Sequence, residues 1–563
     1  MSALTRLLPA RADLARMLHR PRTDLVAGLT VAVVALPLAL GFGVSSGLGA
    51  AAGLATAIVA GALAALFGGS NLQVSGPTGA MTVVLVPIVH RYGPGGVLTV
   101  GLIAGVFLVA LAVMRAGRYV RYVPAPVVEG FTVGIAAVIF LQQVPAALGV
   151  EASGGEKVTV AAWQAVVGFA RTPHWAALGL ALGVAAVMLI GARWRPTIPF
   201  SLLAVATATL ATALSGLSVG TIGALPATLP APTLGFLEPA AVPGLLTSAL
   251  AVAALAALES LLSATVADGM SVGQRHDPDR ELFGQGIANL VTPLFGGVPA
   301  TAAIARTAVN VRAGAQSRLA SLTHAATLAV IMFAAAPLVA HIPLAALAGV
   351  LLATAVRMVE VGSLAALARS TRSDAVIMAL TAAATLALDL VAAVGIGLVL
   401  ACILAIRRIA RATTLETVPL DVTDHQDEEA ALLREHIVAY RLEGPLFFAA
   451  AHRFLLDLSE VADVRVVILR MSRVLTIDGT GATVLRDAVE RLERRGIAVY
   501  LSGLRPGHDR AVAAIGILPR LTAQGRVFPD TPHAIAAARA YLQGEGSKHT
   551  LVAAGAPVTA EPR

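Results

Sequence analysis

Charge, aromatic rings and cysteine are all scarce in this chain of 563 residues: 13% are charged, 4% aromatic, and there is a single cysteine, Cys402. One thiol excludes an internal disulfide. Its place in the apolar run Leu398-Val399-Leu400-Ala401-Cys402-Ile403-Leu404 predicts an inert packing group and not a redox or metal ligand. No Gly-Lys-Ser/Thr phosphate loop is there to hydrolyse a nucleotide, no nucleophile and base stand out as a set, and no Cys/His spacing suits a metal. These absences predict a protein that is not an enzyme and needs no cofactor. The net charge of +8 could suggest a nucleic-acid partner, but the basic residues flank apolar segments and do not cover one polar face, so nucleic acid is excluded.

What the chain has in abundance is apolar surface: 57% of residues are hydrophobic, against roughly 45–50% in soluble domains. The partner is a lipid bilayer. Gly 53 and Pro 30 are spread through the apolar stretches, as in membrane helices that pack through small residues and break where a cavity forms. A span needs about 20 apolar residues. On that measure spans lie near 25–46, 50–68, 96–114, 125–148, 175–192, 198–216, 245–268, 282–296, 319–340, 343–358, 375–391 and 392–410. Arg6, Arg11, Arg16, Arg20 and Arg22 precede the first span, and Arg407, Arg408 and Arg411 follow the last, so both ends are expected in the cytoplasm. The run from Leu25 to Val44 is too long for a cleavable signal and continues into further spans.

Two apolar segments look too short to cross alone, and both begin with proline. They are Pro77-Thr78-Gly79-Ala80-Met81-Thr82-Val83-Val84-Leu85-Val86 and Pro299-Ala300-Thr301-Ala302-Ala303-Ile304-Ala305-Arg306-Thr307-Ala308. Each stands third in its half of the chain, after two apolar segments, as an inverted repeat requires, and adding them gives about fourteen elements. Proline costs nothing at a first helical position, so each is expected to start a half-helix. A half-helix beginning in mid-membrane aims unpaired N–H groups and its positive dipole end inward, and two such ends facing each other attract an anion. That pairing points to an anion transporter.

Past Arg411 the composition turns polar through Asp421-Val422-Thr423-Asp424-His425-Gln426-Asp427-Glu428-Glu429, and a second domain begins near His436. Strands at 437–442, 464–469 and 497–501 with an amphipathic helix over about 480–494 read as a small α/β unit. The expected organisation is a segment 1–23, a transmembrane domain 24–415, a linker 416–435, the α/β domain 436–542 and a disordered tail 543–563.

Four blocks, in this order, resemble the SulP sulfate-permease family of anion transporters over 24–542. They are Ala35-Leu36-Pro37-Leu38-Ala39-Leu40-Gly41-Phe42-Gly43, Ser75-Gly76-Pro77-Thr78-Gly79-Ala80-Met81-Thr82, Glu259-Ser260-Leu261-Leu262-Ser263, and Gly296-Gly297-Val298-Pro299 through Arg306-Thr307-Ala308-Val309-Asn310. The resemblance implies a membrane all-α fold of fourteen transmembrane segments in a seven-plus-seven inverted repeat. A core domain of spans one to four and eight to eleven would rock against a gate domain, commonly as a homodimer in the inner membrane. It also identifies 436–542 as resembling a cytoplasmic α/β STAS domain whose own partner is unknown. Asp478-Gly479-Thr480-Gly481 stands where soluble relatives often have Asp-Ser-Ser-Gly with a phosphorylated Ser; a capping role and a phosphoswitch at Thr480 both remain open.

Within the family the chain looks closest to the branch of sodium-dependent bicarbonate transporters, where an acid and a hydroxyl four positions on help to bind sodium. Glu259 and Ser263 match, although that branch usually builds the site on Asp and Thr, and proton-coupled relatives carry Glu. An acid inside the apolar run 245–258 costs several kcal/mol unless protonated, paired or facing water. Glu259 therefore carries the coupling ion, either a proton or a sodium ion shared with Ser263 and Thr301. Substrate contacts are expected from Ser75, Thr78, Gly79, Ala300, Thr301, Ala302 and the guanidinium of Arg306, with Phe42 matching an aromatic of the family's pocket. Arg306 is placed about one and a half turns into the second half-helix, against the plainer reading of a cytoplasmic charge like Arg312 and Arg318. Asp389 and His324 are weaker candidates for relay groups, and the Asp268, Asp277, Asp279 and Glu281 cluster reads as a solvated loop. Leu38 replaces a Gln of many sulfate-type members, so bicarbonate and sulfate both stand as substrates. A passive anion channel, a proton-coupled dicarboxylate carrier, a membrane-anchored regulator and a nucleobase carrier are the rival readings.

Overall fold

Hydrocarbon offers the backbone no hydrogen-bond partners, so apolar runs of this length must satisfy their own N–H and C=O groups as helices. The computed structural model describes residues 6–9, 11–151, 157–195, 198–271, 273–388, 390–412, 414–417, 432, 435–446, 464–505, 508, 512–513 and 516–553. They fall into two compact units, Met1–Leu400 and Ala401–Arg563.

The first unit is helical. In order come α1 (Arg11–Met17), α2 (Pro21–Ser45), α3 (Ala50–Phe67), the two-residue strand β1 (Ser75–Gly76), α4 (Gly79–Val113), α5 (Ala125–Leu148), α6 (Val158–Arg171), α7 (Trp175–Trp194) and α8 (Phe200–Ser215). Then follow α9 (Val242–Met270), α10 (Pro278–Val291), strand β2 (Thr301–Ala302), α11 (Ile304–Arg312), α12 (Arg318–Val339), α13 (Leu344–Met358), α14 (Val361–Ser370), α15 (Arg372–Ala387) and α16 (Leu390–Ala412). Among the described residues, 8 helices are long and apolar enough to cross a membrane. The halves repeat one order, with two helices, a short strand and then a helix that starts at the strand's end.

α4 is two helices end to end, because Gly93 has φ 67° and ψ −175° and Pro94 follows it, breaking the ladder after a first piece shorter than the about 20 residues a span needs. Two packing groups are visible. α3, α4 and α9 pack with α10, and α12 packs on α2 and α3; α5, α7 and α8 pack with α13, and α5 also with α15, the two groups meeting where α2 touches α8 and α13 and α4 touches α5. Small residues allow the closest crossings: Gly43 on α2 meets Gly53 on α3, and Gly105 on α4 meets Gly286 on α10, backbone to backbone.

Several sequence expectations change. α6 and α14 are additional short helices with exposed apolar side chains such as Trp163 and Val361. Cys402, on α16, is exposed and is not a packing thiol. Glu281 is no part of a solvated loop. It lies 2% exposed in the first turn of α10, where its carboxylate accepts from the N–H groups of Gly69 (2.9 Å) and Ser70 (3.2 Å). Arg318, 2% exposed, is likewise no surface charge: it donates to the carbonyls of Ala65 and Leu66 and to Asn71.

The second unit is a five-stranded sheet in the order β3 (Thr414–Thr417), β4 (Ile437–Leu446), β5 (Val466–Ile477), β6 (Ala498–Ser502), β7 (Val527–Phe528). β3 runs antiparallel to β4 and the remaining pairs are parallel. Its helices are α17 (Gly479–Arg494), α18 (Ile517–Ala523) and α19 (Thr531–Ala553). Leu485, Val489, Ile517 and Leu521 pack against Val467, Leu469 and Val499, while Ala534 and Ala538 pack with Ile468 and Tyr500. Asp478 caps α17, accepting from Gly481 N at 2.7 Å, and Thr480 beside it is exposed. α19 continues to Ala553, past the point at 543 where the composition suggested a disordered tail, because an established helix propagates through residues that would not nucleate one. Most of the linker 416–435, the tail beyond Ala553 and Asp389 lie outside the described residues.

Candidate functional site

The two short segments meet. β1 and β2 pair antiparallel, Ser75 opposite Ala302 and Gly76 opposite Thr301, and Ala303 N extends the pairing to Val74 O at 3.1 Å. Antiparallel strands leave a crossing in opposite directions, so α4 and α11 run away from it with both N-termini facing it. The positive dipole ends are thereby brought together in the interior of the helical unit.

Neither proline occupies the first helical turn as expected. Pro77 precedes the cap residue Thr78 of α4, and Pro299 lies five residues before α11 begins at Ile304. Strand pairing is the cause, since it holds Thr301 and Ala302 extended and α11 can begin only beyond them. Arg306 consequently sits in the first turn of α11, closer to the crossing than one and a half turns.

The caps differ. Thr78 Oγ1 accepts from Met81 N at 3.4 Å and donates to Glu259 Oε2 at 3.0 Å, which ties α4 to the acid of α9. At α11 the cap residue is Ala303 and no side chain caps the helix. In its first turn Ile304 is 41% exposed. An uncapped N-terminus leaves backbone donors for a ligand.

Arg306 is 2% exposed. Its Nη2 donates to Pro77 O at 3.0 Å, whereas Nη1 has no partner among the described residues. The guanidinium lies against Gly76, where a Cβ would come within 2.6 Å of Nη1. Its charge is felt by Glu259, which is only partly buried, and by His324. His324 on α12 is fully buried with both ring nitrogens unpartnered among the described residues. Phe42 and Ile139 close over Gly79, leaving no room there for a side chain.

The remaining expected residues are spread around the crossing and do not share one point. Ser75 Oγ accepts from Gln285 Nε2 at 2.6 Å. Ala300 gives both its N–H and its C=O to Asn289, each at 2.8 Å, so its N–H is already used. Thr301 donates to Ala256 O at 3.1 Å, and Ser263 donates to Thr307 Oγ1 at 2.9 Å. Ala302 is buried in the ribbon. Glu259 and Thr78 are thus in direct contact, while Ser263 and Thr301 direct their hydroxyls elsewhere.

Residues not foreseen complete the surroundings: Gln73, Gln285, Asn289, Thr307 and Asn310. Thr307 Oγ1 accepts from Val74 N, Gln73 donates to Ser260 O, and Asn310 donates to Leu72 O. The overlooked signal was polar spacing, because Glu281, Gln285 and Asn289 stand four apart in a helix whose other residues past Arg280 are apolar or glycine, and so share one face.

Residues 22–381 match the family described as Sulfate permease family. The chain belongs to that family. Residues 430–534 match the STAS domain. Among similar proteins, the putative sulfate transporter YvdB of Bacillus subtilis is 35% identical, the alignment covering 90% of this chain and 96% of that protein. The bicarbonate transporter BicA of Synechocystis is 30% identical over 91% of this chain and 93% of its own. The solved transmembrane domain of a cyanobacterium bicarbonate transporter BicA superposes with TM-score 0.61 and 32% identity, covering 67% of this chain and 98% of that one. Murine Solute Carrier 26 family member A9 shares the fold at TM-score 0.81 with 17% identity, covering 95% of this chain and 94% of that one. This member of the family is thus a multi-pass membrane anion transporter with a STAS domain, and not an enzyme.

Proposed function

We propose that the chain is a secondary active transporter of a small inorganic anion, bicarbonate or sulfate, held between the N-termini of α4 and α11 and coupled to sodium or a proton at Glu259. The observation that carries this reading is the antiparallel β1–β2 pairing, which faces two helix N-termini at each other beside a buried guanidinium with a free donor. A buried cation with an unpaired N–H is stabilised by an anion, and the uncapped α11 adds donors. Glu259, linked to the α4 cap through Thr78, senses whether that helix end is occupied and supplies a carboxylate that a proton or sodium neutralises.

On this reading the group containing α3, α4 and α9–α12 moves as a core against the group containing α5, α7, α8, α13 and α15, giving alternating access across about fourteen spans. The first part of α4, and α11, are the half-helices. The protein sits in the inner membrane with its N-terminus and STAS domain in the cytoplasm, as a homodimer. Its backbone donors and single arginine recognise charge and size, so a dicarboxylate is the competing cargo.

Purified protein in liposomes, offered each anion under an imposed sodium or proton gradient, tests substrate and coupling together. Accumulation above the equilibrium level, lost with Glu259→Gln, supports the carrier. Gradient-independent ohmic current that survives Glu259→Gln makes it a channel, and no uptake of any anion above empty vesicles refutes the proposal.

A further inference from the structure

The ribbon that aligns the two helix ends is too short to align itself. Each strand has two residues, and even a complete isolated hairpin is only marginally stable. A slip of one residue would move the strands by about 3.3 Å and turn every side chain to the opposite face. Something outside the ribbon must hold its register.

α10 does so from behind. Gln285 and Asn289, four residues apart, are both 0% exposed. Buried amides are costly unless bonded, and each of these bonds a different strand segment. Gln285 Nε2 donates to Ser75 Oγ at 2.6 Å in β1, and also to Glu281 Oε1 at 3.0 Å. Asn289 takes Ala300, the residue before β2, at both its N–H and its C=O, each at 2.8 Å, while Nδ2 also donates to Gln285 O in its own helix at 2.8 Å. Glu281, one turn further back, holds the N–H groups of Gly69 and Ser70 on the approach to β1. One rigid helix face therefore grips both halves of the crossing.

We infer that Gln285 and Asn289 are positioning residues for the anion site: they set the register of the ribbon, and so the separation of the α4 and α11 N-termini, through Ser75 and Ala300 and without touching the anion. This inference rests on the anion-site reading above.

The test is the concentration dependence of initial uptake by the full-length protein in liposomes, using whichever of bicarbonate or sulfate the wild type transports. Gln285→Met, close to isosteric, and Asn289→Ala are each expected to raise KM at least 5-fold in protein of unchanged oligomeric profile. Because Gln285 acts through the Ser75 hydroxyl, Ser75→Ala should raise KM similarly, and the Gln285→Met/Ser75→Ala double variant should lie within 2-fold of the singles. Multiplied effects would overturn the inference, as would lowered thermal stability and Vmax with KM unchanged, the pattern of a merely structural role. Arg306→Gln in parallel separates the two claims. If Arg306→Gln raises KM and the α10 variants do not, positioning fails alone; if Arg306→Gln leaves KM unchanged, the anion site itself is wrong. Should Asn289→Ala not assemble, the Gln285–Ser75 cycle decides.

Discussion

Replacing Gly76 by alanine is the most economical disturbance of the crossing, since it adds one methyl group and removes no hydrogen bond. Gly76 has φ +151°, a region open to glycine and rarely adopted by other residues. Forcing an L-residue there costs about 1–3 kcal/mol. The added Cβ would also stand 2.6 Å from Arg306 Nη1 and 3.3 Å from the Ala57 backbone, so the guanidinium must withdraw while α3 cannot. If the strain is borne by the arrangement that binds the anion, 1.4 kcal/mol per tenfold converts it to a roughly 5- to 150-fold loss of affinity. The assay is anion uptake in liposomes with KM as the readout, beside thermal unfolding of the detergent-purified protein. A Gly76→Ala variant that transports with wild-type KM would refute the placement of Arg306 and the ribbon at the binding site.

Other consequences are as direct. Arg306→Lys keeps the charge but loses the fork that reaches Pro77 O while leaving Nη1 free, so KM should rise at least tenfold in the same uptake assay. Thr78→Val removes the hydroxyl that joins Glu259 to the α4 cap; dependence of uptake on the coupling gradient should weaken while residual downhill flux persists. Asp13→Asn should lower thermal stability, because Asp13 is the counter-ion of Arg280 at 2.7 Å and lies 4.0 Å from Arg318, all three largely buried; breaking such a pair costs about 3–5 kcal/mol. Truncation after Ala412, removing the STAS domain, should leave measurable uptake, and its complete loss would favour a regulatory protein.

Long apolar runs announced their helices plainly, since hydropathy and span length are properties of contiguous sequence. The strands and helix of the STAS domain were equally legible from their periods of 2 and 3.6. What escaped depends on contacts across more than 200 positions. The pairing of Ser75 with Ala302 decides where α11 starts, so Pro299 could not be recognised as lying outside the helix. Glu281 looked like one acid in a charged loop until folding carried it to the N–H groups of Gly69 and Ser70. Cys402 and Trp163 illustrate the converse limit: composition shows that a residue is apolar but not whether it faces protein or lipid. The candidate site was legible at Glu259, Thr78 and Arg306, whose charge or hydroxyl is conspicuous in its surroundings. It was not legible at Gln285 and Asn289, where only the i, i+4 spacing gave a hint.

The central claim is that an anion rests between the ends of α4 and α11 against Arg306. A structure of the protein solved with the transported anion, or with selenate as a strongly scattering sulfate analogue, tests it most directly. The account predicts density beside Arg306 Nη1 and the first-turn N–H groups of α11, absent in Arg306→Gln. Density elsewhere in the helical unit, with that crossing empty, would contradict it.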